Sequence, residues 1–286
     1  MTSQRNKGIG LTLGSVLVFC VMSSLIRQAA DINSYKTTFF RFVVGLGLLS
    51  TAAMFGKIEL RFVHKPFLFL RGLIGGAAIF THYLSIAKLG VGKGTVICYS
   101  YPIFATIFGA IFLKEKIGFR KAAAVLATFV GIYLLTVDND ADAFHVGSVG
   151  KYEAIAILGA ILSGVVIVLI KKLHETDSTY AIFYAQCAIG LWLVIVPAST
   201  VPGSIGFSGG MLLLGIGITA TVGQLLMTEG FRHITVTTGS ILAMLLPVLN
   251  VLVGVTVFRE SVSATMIIGS VIVVGSCSVA VVKYEE

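Results

Sequence analysis

The sequence predicts an all-α integral membrane protein of ten transmembrane helices, arranged as two five-helix repeats of inverted topology. Three observations carry that expectation. Hydrophobic residues fill 56% of the 286 positions and charged residues 12%, with a mean hydropathy of +0.97, so too few polar side chains exist to coat a water-soluble globule. The apolar residues fall into ten runs of spanning length separated by short polar connections. The chain also repeats itself, the second copy following 145 residues after the first.

The first run, 8–26, follows Arg5 and Lys7. A cleaved signal peptide would begin in the same way, but no small-x-small cleavage site precedes Arg27 and the run has a counterpart at 152–170, so it is expected to persist as a helix. The second, 36–55, carries "FFRFVVGLGLL" and ends before Lys57; the third, 66–87, follows Lys65. The fourth, 95–113, contains Pro102 and stops at Lys114 and Glu115, and the fifth, 119–136, leads into the acidic connection Val137 to Lys151. The sixth, 152–170, stops at Lys171 and Lys172; the seventh, 179–197, and the eighth, 208–228, flank a Pro/Gly/Ser turn. The ninth, 235–257, contains Pro247 and stops at Arg259 and Glu260, and the tenth, 264–282, ends before Lys283.

The duplication is clearest where "CYSYPIFATIFGAIFLKEKIGF", Cys98 to Phe119, overlays "AMLLPVLNVLVGVTVFRESVSA", Ala243 to Ala264. Pro102 meets Pro247, Gly109 meets Gly254, Lys114 meets Arg259 and Glu115 meets Glu260; without a gap, Gly14, Gly45, Gly72 and Gly94 meet Gly159, Gly190, Gly217 and Gly239. Five spans per copy force the second copy to enter the membrane from the opposite side. The first repeat is expected over 1–137, a linker over 138–151 and the second repeat over 152–286.

Orientation follows from the basic residues. With the N-terminus taken as cytoplasmic, 14 of the 21 lysines and arginines fall on inner segments, Arg71 among them, and 6 on outer ends, while Arg41 falls inside the second span. That bias predicts both termini in the cytoplasm; the cytoplasmic (inner) membrane is the expected location. The net charge of +8 is accounted for by this topology and by contact with anionic lipids; no basic stripe argues for nucleic acid. Cys20, Cys98, Cys187 and Cys277 each lie in a span without CxxC spacing, which supports neither a disulfide framework nor a metal site.

Two five-helix halves, "FFRFVVGLGLL" in the second span, and a proline in spans four and nine followed thirteen residues later by glutamate ("YPIFATIFGAIFLKEK", "LPVLNVLVGVTVFRES") resemble the EamA branch of the drug/metabolite transporter superfamily. The likeness covers nearly the whole chain. It implies a ten-helix transporter with cytoplasmic termini and a central substrate cavity between the halves, often serving export of amino acids or other small metabolites. No cofactor is implied, and a monomer or a homodimer is expected.

Polar residues at membrane depth are the candidates for the substrate site, because hydrocarbon penalises them. Arg41 is placed about one and a half turns into the second span, where its planar fork suits a carboxylate; snorkelling to the outer headgroups or bracing a neighbouring helix is the competing reading. His82 and Tyr83 lie in the outer part of the third span, His82 either binding substrate or carrying a proton, with a hydrogen-bonded structural role as the competing reading. Tyr99 and Tyr101 follow in the fourth; two apart on a helix, they point about 200° from each other and so are not expected to share one cavity. The second half offers Gln186, the repeat mate of Arg41, with Trp192, Gln224, Met244 and Asn250. A cationic first half opposite a neutral second half suits an anionic solute. Gln224 and Asn250 also read as interhelical hydrogen-bond partners.

Pro102 and Pro247 are expected to kink their spans about one turn below the N-terminal ends. Glu115 and Glu260 are read as structural or gating residues, their charges offset by Lys114, Lys116 or Arg259. Small residues four apart at Gly10/Gly14, Gly72/Gly76 and Gly90/Gly94 are read as close-packing surfaces. All 13 acidic residues fall in loops or at span ends, Glu229 being the nearest exception, so no buried carboxylate relay is expected. Enzyme signatures are missing: there is no HExxH, and "GLIGG" and "GVGKG" complete no nucleotide fingerprint. The expected function is a secondary transporter that moves an amino acid or similar carboxylate-bearing solute by alternating access, export favoured. The alternatives are exchange or uptake of a nucleoside-type metabolite such as S-adenosylmethionine, or flipping of a lipid-linked substrate.

Overall fold

The computed structural model describes residues 2–89, 91–136, 150–203 and 205–282, without the side chains at 2, 83, 86, 87, 91–93 and 95. The expected linker, up to residue 149, and Gly90 lie outside the described residues. The first half comprises α1 (Thr2–Gln28), α2 (Ser34–Met54), α3 (Lys65–Leu89), α4 (Val91–Cys98), α5 (Tyr101–Leu113) and α6 (Phe119–Thr136). The second comprises α7 (Lys151–Leu173), α8 (Thr179–Thr200), α9 (Phe207–His233), α10 (Val236–Ala243), α11 (Leu245–Thr256) and α12 (Ala264–Val281). Nine stretches among the described residues are long and apolar enough to cross a membrane, with Val96–Leu113 and Val236–Thr256 each joining two helices. The tenth element of that length is α3, 25 residues with Arg71 in its first third.

Spans four and nine are each broken into two helices, a larger disruption than the single kink expected. The breaks fall after eight-residue helices, about two turns from the start. Pro102 at the second residue of α5 offers no N–H to the carbonyl four residues back, and Pro247 at the third residue of α11 likewise offers none. The chain turns at Ser100 (ψ −5°) and Met244 (ψ −4°), whose amides form tight bonds to Ile97 O (3.2 Å) and Ile241 O (3.0 Å). Both prolines are buried.

The same two spans also end alike. Lys114 (φ 54°) and Arg259 (φ 56°) are repeat mates and the only non-glycine residues at positive φ among those described. Each turn is closed by the following glutamate amide, Glu115 N to Gly109 O at 3.2 Å and Glu260 N to Gly254 O at 3.0 Å. A left-handed basic residue costs roughly 1 kcal/mol, which the returning bond offsets.

The halves pack face to face: α1 lies on α9, α2 on α8 and α9, α3 on α7 and α8, and α6 on α12. Small residues set these approaches. A Cβ on Gly72 would stand 2.7 Å from Ala185 O, one on Gly76 3.1 Å from the Cα of Gly190, and one on Gly131 2.9 Å from Gly269 O. Gly10, by contrast, has nothing within 4 Å and Gly14 only Leu226 at 3.8 Å, so that pair is not a packing surface. On the face where α1 begins, called here the N-terminal face, Asp177 before α8 accepts from Val63 N at 2.6 Å, and Ser178 Oγ donates to Glu59 O at 2.9 Å. These bonds tie the α2–α3 connection to the α7–α8 connection, consistent with the two halves running in opposite senses.

Candidate functional site

The most polar buried cluster sits where α2 and α3 meet α8 and α9. Arg41 is the eighth residue of α2, two turns inside its start, and its guanidinium reaches across to the other half, Nη2 donating to Gln224 Oε1 on α9 in a long contact of 3.5 Å. One turn on, Gly45 opens the same helix face to Cys187 Sγ and Thr221 Oγ1, 3.0 and 3.4 Å from where a Cβ would stand.

The cluster contains a second arginine that the charge count placed elsewhere. Arg71, assigned above to an inner segment, lies seven residues into α3 and is only 1% exposed. The reading of Arg41 as the one arginine inside a span is therefore corrected. Arg71 Nη2 donates to Gln186 Oε1 on α8 at 2.8 Å. Gly75, one turn later on α3, makes room for it, since a Cβ there would overlap Arg71 Nη1. The sequence signal was present in "RGLIGG": a long cation with glycines four and five places on has space to fold along its own helix.

The donors in this cluster outnumber their acceptors. Arg41 Nε, Arg71 Nε and Nη1, and Gln224 Nε2 are buried without a hydrogen-bond partner. Every described carboxylate lies in a connection or near a helix end, so neither guanidinium has an acidic partner at this depth. Such donors are costly to bury and suit an arriving acceptor of negative charge.

The other candidates divide. Gln186 and Gln224, each 4% exposed, belong to the cluster. His82 is half-buried on α3, its ring 6.2 Å from that of Tyr99. The side chain of Tyr83 lies outside the described residues. Tyr99 and Tyr101 both pack on one hydrophobic core with Ile132, Ile241 and Met244; the helix break between them voids the 200° argument that separated them. Met244, 1% exposed, is part of that core and marks the α10–α11 break. Trp192 is 78% exposed on α8 and takes no part in the buried cluster. Asn250 is half-buried on α11, away from the arginines in sequence and outside their hydrogen bonds.

Glu115 and Glu260 take partners other than the adjacent basic residues expected. Both oxygens of Glu115 accept from Val236 N, at 2.9 and 3.0 Å, capping the start of α10 in the opposite repeat. Glu260 pairs instead with Arg27 at the end of α1, whose guanidinium also lies 4.1 Å over the ring of Phe258. Glu229 joins Thr179, His233 (3.1 Å) and Arg232 (3.7 Å) at the N-terminal face. This group borders a cleft of about 580 Å³ between α1, α8 and α9 that also includes Leu11, Val222 and Leu226.

A model of the EamA-like transporter family matches residues 6–137 and again 150–282. The pseudopaline exporter CntI of Pseudomonas aeruginosa is 26% identical over 275 residues, 94% of each chain. The S-adenosylmethionine uptake transporter of Rickettsia bellii is 30% identical over 199 residues, 67% of this chain and 64% of that one. Human solute carrier family 35 member G1 is 24% identical over 241 residues, covering 79% and 66%. A solved crystal structure superposes over 96% of both chains with a TM-score of 0.84 at 17% identity, which shows the fold.

Proposed function

Because the chain belongs to the EamA-like transporter family, we propose that it carries a small carboxylate-bearing metabolite, such as an amino acid, across the cytoplasmic membrane by alternating access, export favoured. The observation that carries this reading is the pair of guanidiniums held between the halves with unpartnered N–H groups and no described carboxylate beside them. A solute bound there touches α2 and α3 of one half and α8 and α9 of the other, so it senses any rocking of the halves. The excess of basic residues on the N-terminal face supports cytoplasmic termini. Export is supported by the full-length likeness to an exporter.

A second reading, exchange of S-adenosylmethionine, is favoured by the Rickettsia relative. Its sulfonium would approach two uncompensated cations, which weighs against it. Counterflow in proteoliposomes with amino acids, other carboxylates, nucleosides and S-adenosylmethionine separates the two. The proposal expects carboxylate-bearing solutes to exchange, and Arg41→Gln to raise their half-saturation constant about fivefold to a hundredfold, the range of a charge-assisted hydrogen bond. Unchanged affinity in the expressed variant would make Arg41 a bracing residue.

A further inference from the structure

Resting on the carboxylate reading above, we infer that the site holds two anionic groups at once, so that the solute is a dicarboxylate or an amino dicarboxylate, with Arg41 and Arg71 each reading one group. Each guanidinium carries five N–H donors and one fixed positive charge. Gln186 and Gln224 occupy one donor of each and cancel no charge. Arg71 is 1% exposed and keeps both Nε and Nη1 without a partner, and Arg41 keeps Nε. A single carboxylate would leave one buried charge uncompensated, whereas two match the site in charge and in donors.

The depths of the two arginines set the spacing. Arg41 lies seven residues from the start of α2 and Arg71 six from the start of α3, helices that begin at opposite membrane faces. At 1.5 Å per residue these positions are about 10 Å and about 9 Å from their respective faces of a roughly 30 Å core. Arg41 spans part of the gap by reaching Gln224, nine residues from the end of α9 at the N-terminal face. Arg71 folds back toward Gly75, one turn deeper on α3, so the two forks approach mid-depth from opposite faces, each on its own glutamine, which suits carboxylates a few bonds apart better than two on one carbon. Gly75 is the positioning residue for the second, because any Cβ there displaces the Arg71 fork without touching Arg41.

The test pairs each diacid with its ω-amide: L-glutamate with L-glutamine, L-aspartate with L-asparagine, succinate with succinamate, and glutarate with glutaramate. Counterflow is measured in proteoliposomes, and thermal midpoints of the purified protein without solute are measured alongside. The expected result is diacid exchange about tenfold to a hundredfold above the amide in at least one pair. Gly75→Ala and Arg71→Gln should lower diacid exchange more than amide exchange and so bring that ratio to about one, and Arg71→Leu should raise the solute-free midpoint by removing an unpaired charge. Equal exchange of diacids and amides by the unaltered protein overturns the inference and leaves the carboxylate reading standing. A lowered midpoint in Arg71→Leu with the diacid preference intact also overturns it, making Arg71 a structural brace. No exchange of any carboxylate sinks the carboxylate reading, and this inference with it.

Discussion

Arg71 on α3 donates to Gln186 on α8 at 2.8 Å, and Gln186 stands 145 positions after Arg41. The position that carries a cation in the first half thus carries, in the second, the neutral acceptor of a different cation. The duplicated scaffold has been used asymmetrically, and the charge of the cluster comes from one repeat alone.

That contact makes Gln186 a sensitive position. Gln186→Leu leaves Arg71 without its one acceptor and is expected to lower stability by about 1.5–3 kcal/mol, read as a lower thermal midpoint. Gln186→Glu supplies the missing negative charge; it should raise the midpoint and weaken carboxylate binding, because the new side chain competes for Arg71. A Glu variant with undiminished carboxylate affinity would place the solute elsewhere.

Glu115 caps α10 from the opposite repeat, both oxygens on Val236 N. Glu115→Ala removes that cap and should cost about 1–2 kcal/mol. Glu115→Gln keeps an acceptor and loses the charge that the start of the helix favours, so its cost should be smaller. Cysteines at Thr237 or Ser240, both buried beside that start, should label faster in Glu115→Ala than in the unaltered background.

The pairing of Glu260 with Arg27 gives the opposite face an acid response. The hydrogen bond from Arg27 holds the Glu260 carboxyl below its ordinary value of 4.5. A depressed folded value means that the stabilisation is present above the unfolded value and is lost as pH falls through the folded one. The pair is about half exposed, so the effect is small and salt-sensitive. Thermal midpoints of the unaltered protein and of Glu260→Gln should differ at neutral pH and converge below about pH 4. A constant gap across that range would remove the pair as its cause.

Orientation is open to labelling. Cysteines near Gly206 should react with an impermeant reagent applied outside the cell, and those near Arg61 and Glu175 should not, because the N-terminal face carries the basic excess. Reversed labelling would place the termini outside.

Much of the architecture was readable in one dimension. Span number, the 145-residue duplication and the disruption of spans four and nine at Pro102 and Pro247 rest on local properties: apolar length, residue spacing and a missing N–H. They survive whatever the helices pack against. What the tertiary structure alone decided is the direction in which each side chain faces. Core-facing and lipid-facing sides of these helices are both apolar, so no stripe announced that Trp192 points outward or that Arg71 points into the protein. Charge counting pushed Arg71 toward the headgroups because it treats position along a helix and ignores rotation about it. Glu115 and Glu260 looked alike in sequence, yet one caps α10 and the other meets Arg27, because their partners come from the opposite repeat. Contacts between helices more than a hundred residues apart in the chain leave no mark on local spacing, and the charged centre of this protein is made of such contacts.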